Sequence, residues 1–107
     1  SGPQATDATD KLAAVTEPVY NAAYLHNPPP EYPLSAKRRG VQGQVMLNVA
    51  VTREGSARSV AIAHSSGSSQ LDEAARDAVM SWRFVPAKRG NEAVEAKVMV
   101  PVLFKLN

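Results

Sequence analysis

The clearest pattern lies between Gly43 and Thr52, where Val45, Leu47, Val49 and Val51 alternate with Gln44, Met46, Asn48 and Thr52. A period of two sets one row of side chains against a core and the other toward water, so this stretch predicts a half-buried strand. Arg53-Glu54-Gly55-Ser56 follows as a short loop, with glycine where a left-handed residue is needed. Ala57 to Ala63 predicts the returning strand of an antiparallel hairpin, with Val60 and Ile62 facing inward. Leu71, Ala74, Ala75, Ala78, Val79 and Trp82 then recur at helical spacing and draw a single apolar stripe. Ser68 or Ser69 can cap that helix, and Asp72 and Glu73 suit the dipole at its first turn. Asp72 is also spaced to pair with Arg76. From Ala93 to Leu106 the alternation returns: Val94, Ala96, Val98, Val100, Val102, Phe104 and Leu106 share one face of a last strand, and Glu95, Lys97, Met99 and Lys105 the other.

Between these elements the breakers are explicit. Pro28-Pro29-Pro30 forbids a helix and stiffens the chain, while Pro33 suits the start of a short helix from Pro33 to Arg39 that Gly40 stops. Pro86, Gly90 and Asn91 mark a loop that carries Lys88 and Arg89. Residues 1–19, rich in Ala, Thr and Asp, show no usable period and are expected to be a flexible tail; Tyr20 to Leu25 reads as a short extended piece. The order helix, strand, strand, helix, strand predicts an α+β fold, two helices packed on one face of a three-stranded antiparallel sheet. Pro101 adds a constraint. Proline cannot donate to a ladder, so a strand holding one belongs at a sheet edge or contains a bulge. An exposed edge of that length must be used or blocked.

Composition narrows the function classes. A chain of 107 residues is one domain with a modest core. It has no cysteine, which excludes disulfides, thiolate nucleophiles and Cys-based metal sites. No apolar run approaches the roughly 18 residues a membrane helix requires, and no signal peptide is visible. Ser1-Gly2 has the look of a pair left by cloning, so a fragment of a longer protein is expected. The net charge of +2 is uneven: residues 1–31 hold one base and four acids, residues 32–107 eleven bases and six acids. Asp72, Glu73, Asp77, Glu92 and Glu95 dilute the basic body too far for a nucleic-acid partner.

The candidate chemistry is thin. His26 and His64 have no ligand spacing, so neither a metal nor a cofactor is expected. His64-Ser65-Ser66 lacks a third group and reads as a capping loop; a small α+β hydrolase using Ser66 and His64 is the competing enzymatic class. First-turn dipole complementarity explains Asp72-Glu73 without catalysis. Lys37-Arg38-Arg39 reads as a solvated helix end. Trp82 closes the apolar stripe as a core residue.

Taken in order, Glu31-Tyr32-Pro33, Gly43-Gln44-Val45, Thr52-Arg53-Glu54-Gly55, Leu71-Asp72-Glu73-Ala74-Ala75, Trp82-Arg83-Phe84-Val85-Pro86 and Val100-Pro101-Val102-Leu103-Phe104 resemble the C-terminal domain of the TonB family. The resemblance covers residues 28–107, leaving 1–27 as a tail or the end of a linker. It implies a non-enzymatic periplasmic domain on a proline-rich stalk, anchored in the inner membrane of a Gram-negative bacterium and worked by an ExbB/ExbD-type motor. It also implies a partner: the TonB box of an outer-membrane transporter, added as a strand beside the last strand to drive uptake of iron chelates, haem or similar cargo. The partner-binding residues so implied are Lys97, Val98, Met99, Val100, Pro101, Val102, Leu103 and Phe104, with Tyr32 and Pro33 from the family's Tyr-Pro region. A TolA-like envelope adaptor with a different protein partner is the alternative. Some relatives carry further residues that mask the last strand. Here the chain stops at Asn107, so the edge is expected to be open, blocked by Tyr20–Leu25, or paired with a second copy as a homodimer.

Overall fold

A computed structural model describes residues 16–22 and 25–106. Helix α1 (Leu34–Arg38) is followed by strands β1 (Gly43–Val51) and β2 (Ala57–His64), helix α2 (Ser69–Met80), and strands β3 (Ala87–Arg89), β4 (Glu92–Val94) and β5 (Ala96–Phe104). The main sheet is antiparallel with order β2-β1-β5, so β1 is central and, among the described residues, both its neighbours are edges. The expected α+β architecture is present.

The alternation in β1 does what its period demands. Val45, Leu47, Val49 and Val51 are fully buried, and they meet Val98, Val100, Val102 and Phe104 of β5 and Ala36, Leu71, Ala75 and Val79 of the helices in one cluster. Both helices therefore cover the same sheet face. Strand β2 is less well served: Val60 packs against the cluster, but Ile62, opposite Leu47, remains 38% exposed.

The ends of α1 are local chemistry. Pro33 caps the helix rather than opening its first turn, and its carbonyl accepts from Lys37 N–H at 2.9 Å. At the other end Val41 N–H reaches the Ala36 carbonyl (2.9 Å) and Gly40 N–H the Lys37 carbonyl (3.1 Å), the two bonds of a Schellman stop, with Gly40 left-handed at φ 71°. In the β1–β2 turn Gly55 has φ 87°, and its carbonyl accepts from Phe84 N–H at 2.8 Å. The turn is thus pinned to the chain leaving α2.

Helix α2 starts as expected, Ser68 Oγ accepting from Leu71 N–H at 3.4 Å. Asp72 does not pair with Arg76. It is buried, and its carboxylate accepts from Ser65 Oγ, from Ser66 N–H (2.9 Å) and from Ser66 Oγ (2.8 Å). The loop after β2 is closer to the carboxylate than any guanidinium, and it brings three donors at once. The ion pair present among the described residues is Arg58–Glu95, at 2.6 Å and exposed.

Two further departures concern the C-terminal third and the N-terminus. The long strand expected from Ala93 is divided at Glu95: Val94 pairs with Ala87 in a separate β3–β4 hairpin, and the strand on β1 begins at Ala96. The loop expected around Lys88 and Arg89 is therefore half of this hairpin, and only Gly90-Asn91 turns. Residues 16–19, expected to be tail, are bonded to the body: Thr16 N–H to the Lys88 carbonyl (2.9 Å), and Val19 to Val85 in both directions (2.9 and 2.8 Å). Residues 1–15 of the expected tail lie outside the described residues.

Candidate partner-binding edge

Strand β5 pairs with β1 through nine consecutive residues, from Ala96 opposite Val51 to Phe104 opposite Gly43. Among the described residues no strand pairs with its other side. Pro101 stands opposite Met46. Residues along an antiparallel strand alternate between facing the partner strand and facing away. A proline costs the ladder nothing only where its nitrogen faces away. That parity turns the main-chain groups of Lys97, Met99, Pro101 and Leu103 outward, and those of Val98, Val100 and Val102 toward β1.

The ten residues expected to contact a partner separate into groups. Val98, Val100, Val102 and Phe104 bury their side chains in the core. Lys97, Met99, Pro101 and Leu103 are exposed, Met99 at 44% and Leu103 at 66%. Tyr32 lies at the Phe104 end of the strand: its ring meets Phe104 edge-on at 5.3 Å between centroids, and its hydroxyl donates to the Val41 carbonyl. Pro33 lies away from the strand edge, at an opening of about 750 Å³ between α1 and α2 that Tyr32, Leu34 and Ala78 also line.

A second wall stands beside the open edge, and it includes Tyr20 from the Tyr20–Leu25 segment named as one way of blocking that edge. Glu17, Tyr20, Asn21, Asn27, Pro29 and Pro30 face β5 across two openings. One, of about 270 Å³, lies between Glu17 and Lys97–Met99 and reaches over the sheet face to Asn48 of β1; the other, of about 330 Å³, lies between Tyr20, Asn21, Asn27, Pro29, Pro30 and Trp82 on one side and Pro101–Leu103 on the other. Among the described residues no main-chain hydrogen bond joins this wall to β5.

Side chains remote in sequence hold the wall in place. Asn27 Nδ2 donates to the carbonyls of Tyr20 (3.1 Å) and Arg83 (2.7 Å), and Asn27 Oδ1 accepts from Arg83 N–H (2.7 Å). Trp82 Nε1 donates to the Pro28 carbonyl at 2.7 Å. Trp82 is thus half-buried against the core and ties the proline run down, a task its place in the apolar stripe did not reveal. The usable signals were the triple proline, which cannot fold back on itself, and a tryptophan whose N–H needs a partner.

The Ser65-Ser66 hydroxyls are engaged by Asp72, and Ser66 Oγ also accepts from Ser68 N–H at 3.1 Å, so they form the capping loop rather than a nucleophile. Burial pushes the Asp72 carboxyl up, but the hydrogen bonds from Ser65 and Ser66 outweigh it and hold the group below its ordinary value. Among the described residues no His, Asp or Glu cluster is arranged to hold a metal ion.

Comparison with known proteins bears on this edge. Residues 28–106 match the family described as Gram-negative bacterial TonB protein C-terminal. The chain is 53% identical over 90 residues to protein tonB2 of Pseudomonas aeruginosa, covering 84% of this chain and 33% of that protein. It is 42% identical over 79 residues to protein TonB of Xanthomonas campestris pv. campestris, covering 74% of this chain and 35% of that one. It therefore spans about a third of the length of these relatives. The solution NMR structure of the Pseudomonas aeruginosa TonB CTD superposes with a TM-score of 0.66 at 30% identity, over 78% of this chain and 84% of that one.

Proposed function

The chain belongs to the Gram-negative bacterial TonB protein C-terminal family, and from that premise we propose that it is the periplasmic domain of an energy transducer, which takes the TonB box of an outer-membrane transporter as an added strand on β5. The observation that carries the proposal is the side of β5 that no strand among the described residues pairs, nine residues long and bordered at Pro101–Leu103 by an opening. The remainder of a longer protein would anchor the domain in the inner membrane and connect it to an ExbB/ExbD-type motor. The proton motive force would then reach the transporter through this contact and drive uptake of iron chelates, haem or similar cargo.

Strand addition works through main-chain groups. The outward parity of β5 offers the N–H of Lys97, Met99 and Leu103, and the carbonyls of those residues and of Pro101. About five new bonds at roughly 1 kcal/mol each supply on the order of 5 kcal/mol before the peptide's ordering is subtracted. By itself that is an affinity weaker than about 0.1 mM. A grip of this kind releases readily, as a cycling transducer requires. Any tighter binding must come from side chains.

Titrating the 15N-labelled domain with a synthetic TonB-box peptide tests the reading. Shifts and slowed amide exchange should concentrate on Lys97, Met99 and Leu103. Protection confined to the β1–β2 turn, or an unperturbed β5, defeats it. An unperturbed β5 with that peptide leaves a TolA-like adaptor with another partner. Protection of the same amides without peptide, rising with protein concentration, identifies a homodimer through the edge.

A further inference from the structure

Main-chain pairing tolerates many sequences, but the opening beside Pro101 does not have that indifference. Its walls are Tyr20, Asn27, Pro30, Trp82, Pro101 and Leu103. Asn21 also borders it and keeps its exposed amide toward water, whereas the other polar groups around it bond one another: Asn27 bonds Tyr20 and Arg83 main-chain groups, and the Trp82 N–H bonds the Pro28 carbonyl. What remains facing the opening is largely aromatic ring, proline ring and the exposed Leu103 side chain. A charged group entering it would lose water and find little in exchange. At about 330 Å³ the opening sits at the lower limit of sites that enclose a small molecule, a size that suits one large side chain and its backbone.

We propose that this cleft receives a single large apolar side chain, aliphatic or aromatic, from the strand bound to β5, and so supplies the sequence preference that main-chain pairing lacks. The inference rests on the strand-addition reading given above. Three observations converge on it. The cleft is continuous with the open edge, since Pro101 to Leu103 line both. It lies where the edge is weakest, because Pro101 has no N–H to offer a visitor. Its far wall is fixed before binding by the Asn27 and Trp82 hydrogen bonds, so a side chain entering it need not order the wall. One residue of the visitor, at the register of Pro101 to Leu103, therefore reads the cleft, while its neighbours contribute backbone alone.

Trp82, the single tryptophan, reports on the cleft directly. The experiment uses capped seven-residue threonine/valine peptides with leucine, alanine or aspartate at the central position, followed by Trp82 fluorescence and by exchange of the β5 amides. The leucine peptide should bind about tenfold tighter than the alanine one, with the aspartate peptide weaker again, and should shift Trp82 emission to the blue. Leu103→Glu changes an exposed side chain and leaves the core untouched; it should collapse the leucine-to-alanine ratio toward one. Equal affinities, with Lys97, Met99 and Leu103 amides protected by all three peptides, overturn the cleft and leave strand addition standing. Failure of every peptide to protect those amides overturns strand addition, and this inference with it. A concentration-dependent Trp82 shift in the absence of peptide assigns the cleft to a second copy and likewise overturns the proposal.

Discussion

Replacing Pro101 with alanine asks a question that only the orientation of one nitrogen can answer. If that nitrogen faces the open side of β5, Pro101→Ala adds a single N–H to the free edge, opposite the carbonyl of any added strand. One new main-chain bond is worth about 1 kcal/mol, hence roughly a fivefold gain in peptide affinity. The β1–β5 ladder gains nothing, because the new donor points away from Met46. The folded state instead loses the proline's restriction of the unfolded chain, a cost of about 0.4–1 kcal/mol. Affinity and stability therefore move in opposite directions. Titration with a TonB-box peptide, beside urea denaturation of the free domain, measures both. The residue 101 amide of the variant should be unprotected alone and protected in the complex. The opposite result refutes the reasoning: a variant that is more stable, protected at residue 101 without peptide and unchanged in affinity has its new donor bonded to β1. The restored donor should also raise self-association at high protein concentration, since an unbroken edge row is a better template for a second copy.

Four substitutions test the frame that holds the edge. The Asp72 carboxyl lies below its ordinary value, so its contribution is complete above the usual carboxylate range near pH ~4 and is lost as pH falls through the folded value. Thermal melts from neutral to acid pH should show a flatter acid limb for Asp72→Asn than for the parent. At neutral pH Asp72→Ala, which strands the donors of Ser65 and Ser66, should cost about 2–4 kcal/mol in urea denaturation. Gly55→Ala should cost about 3 kcal/mol or more, because a Cβ there would stand 2.4 Å from the Phe84 carbonyl oxygen at a φ of 87°. Gly40→Ala, at φ 71° with nothing within 4 Å, should cost only about 1–2 kcal/mol, and equal losses for the two would show that the turn is free to move off Phe84.

The main sheet and α2 were legible because their pattern is local. A row such as Val45, Leu47, Val49 and Val51 partitions between core and water whatever it packs against, and so does the stripe Leu71, Ala75 and Val79. The alternation also read correctly through β5, where Val98 to Phe104 point inward, but it ran on through Glu95 to Val94 without a break. Period-two patterning cannot distinguish one strand from two that meet at a corner, and the Ala87–Val94 pairing that makes the corner is set by the Gly90-Asn91 turn.

What the sequence settled by itself was the two helices and the three strands of the main sheet, the buried face of β1, α2 and β5, and the exclusion of Pro101 from a central strand, all of which follow from backbone geometry and solvent partition over a few residues. Tertiary structure alone decided what stands beside the exposed strand. The pairing of Val19 with Val85, the Asn27 bridge to Arg83 and the Trp82 tie to Pro28 join residues more than 50 positions apart. A hydrogen bond of that kind leaves no periodic trace in the chain, because it depends on where two segments arrive after the core has closed. The same holds for Asp72, whose position matched a helix dipole and an arginine four residues on, but whose partners were chosen by the loop that folding carried to it.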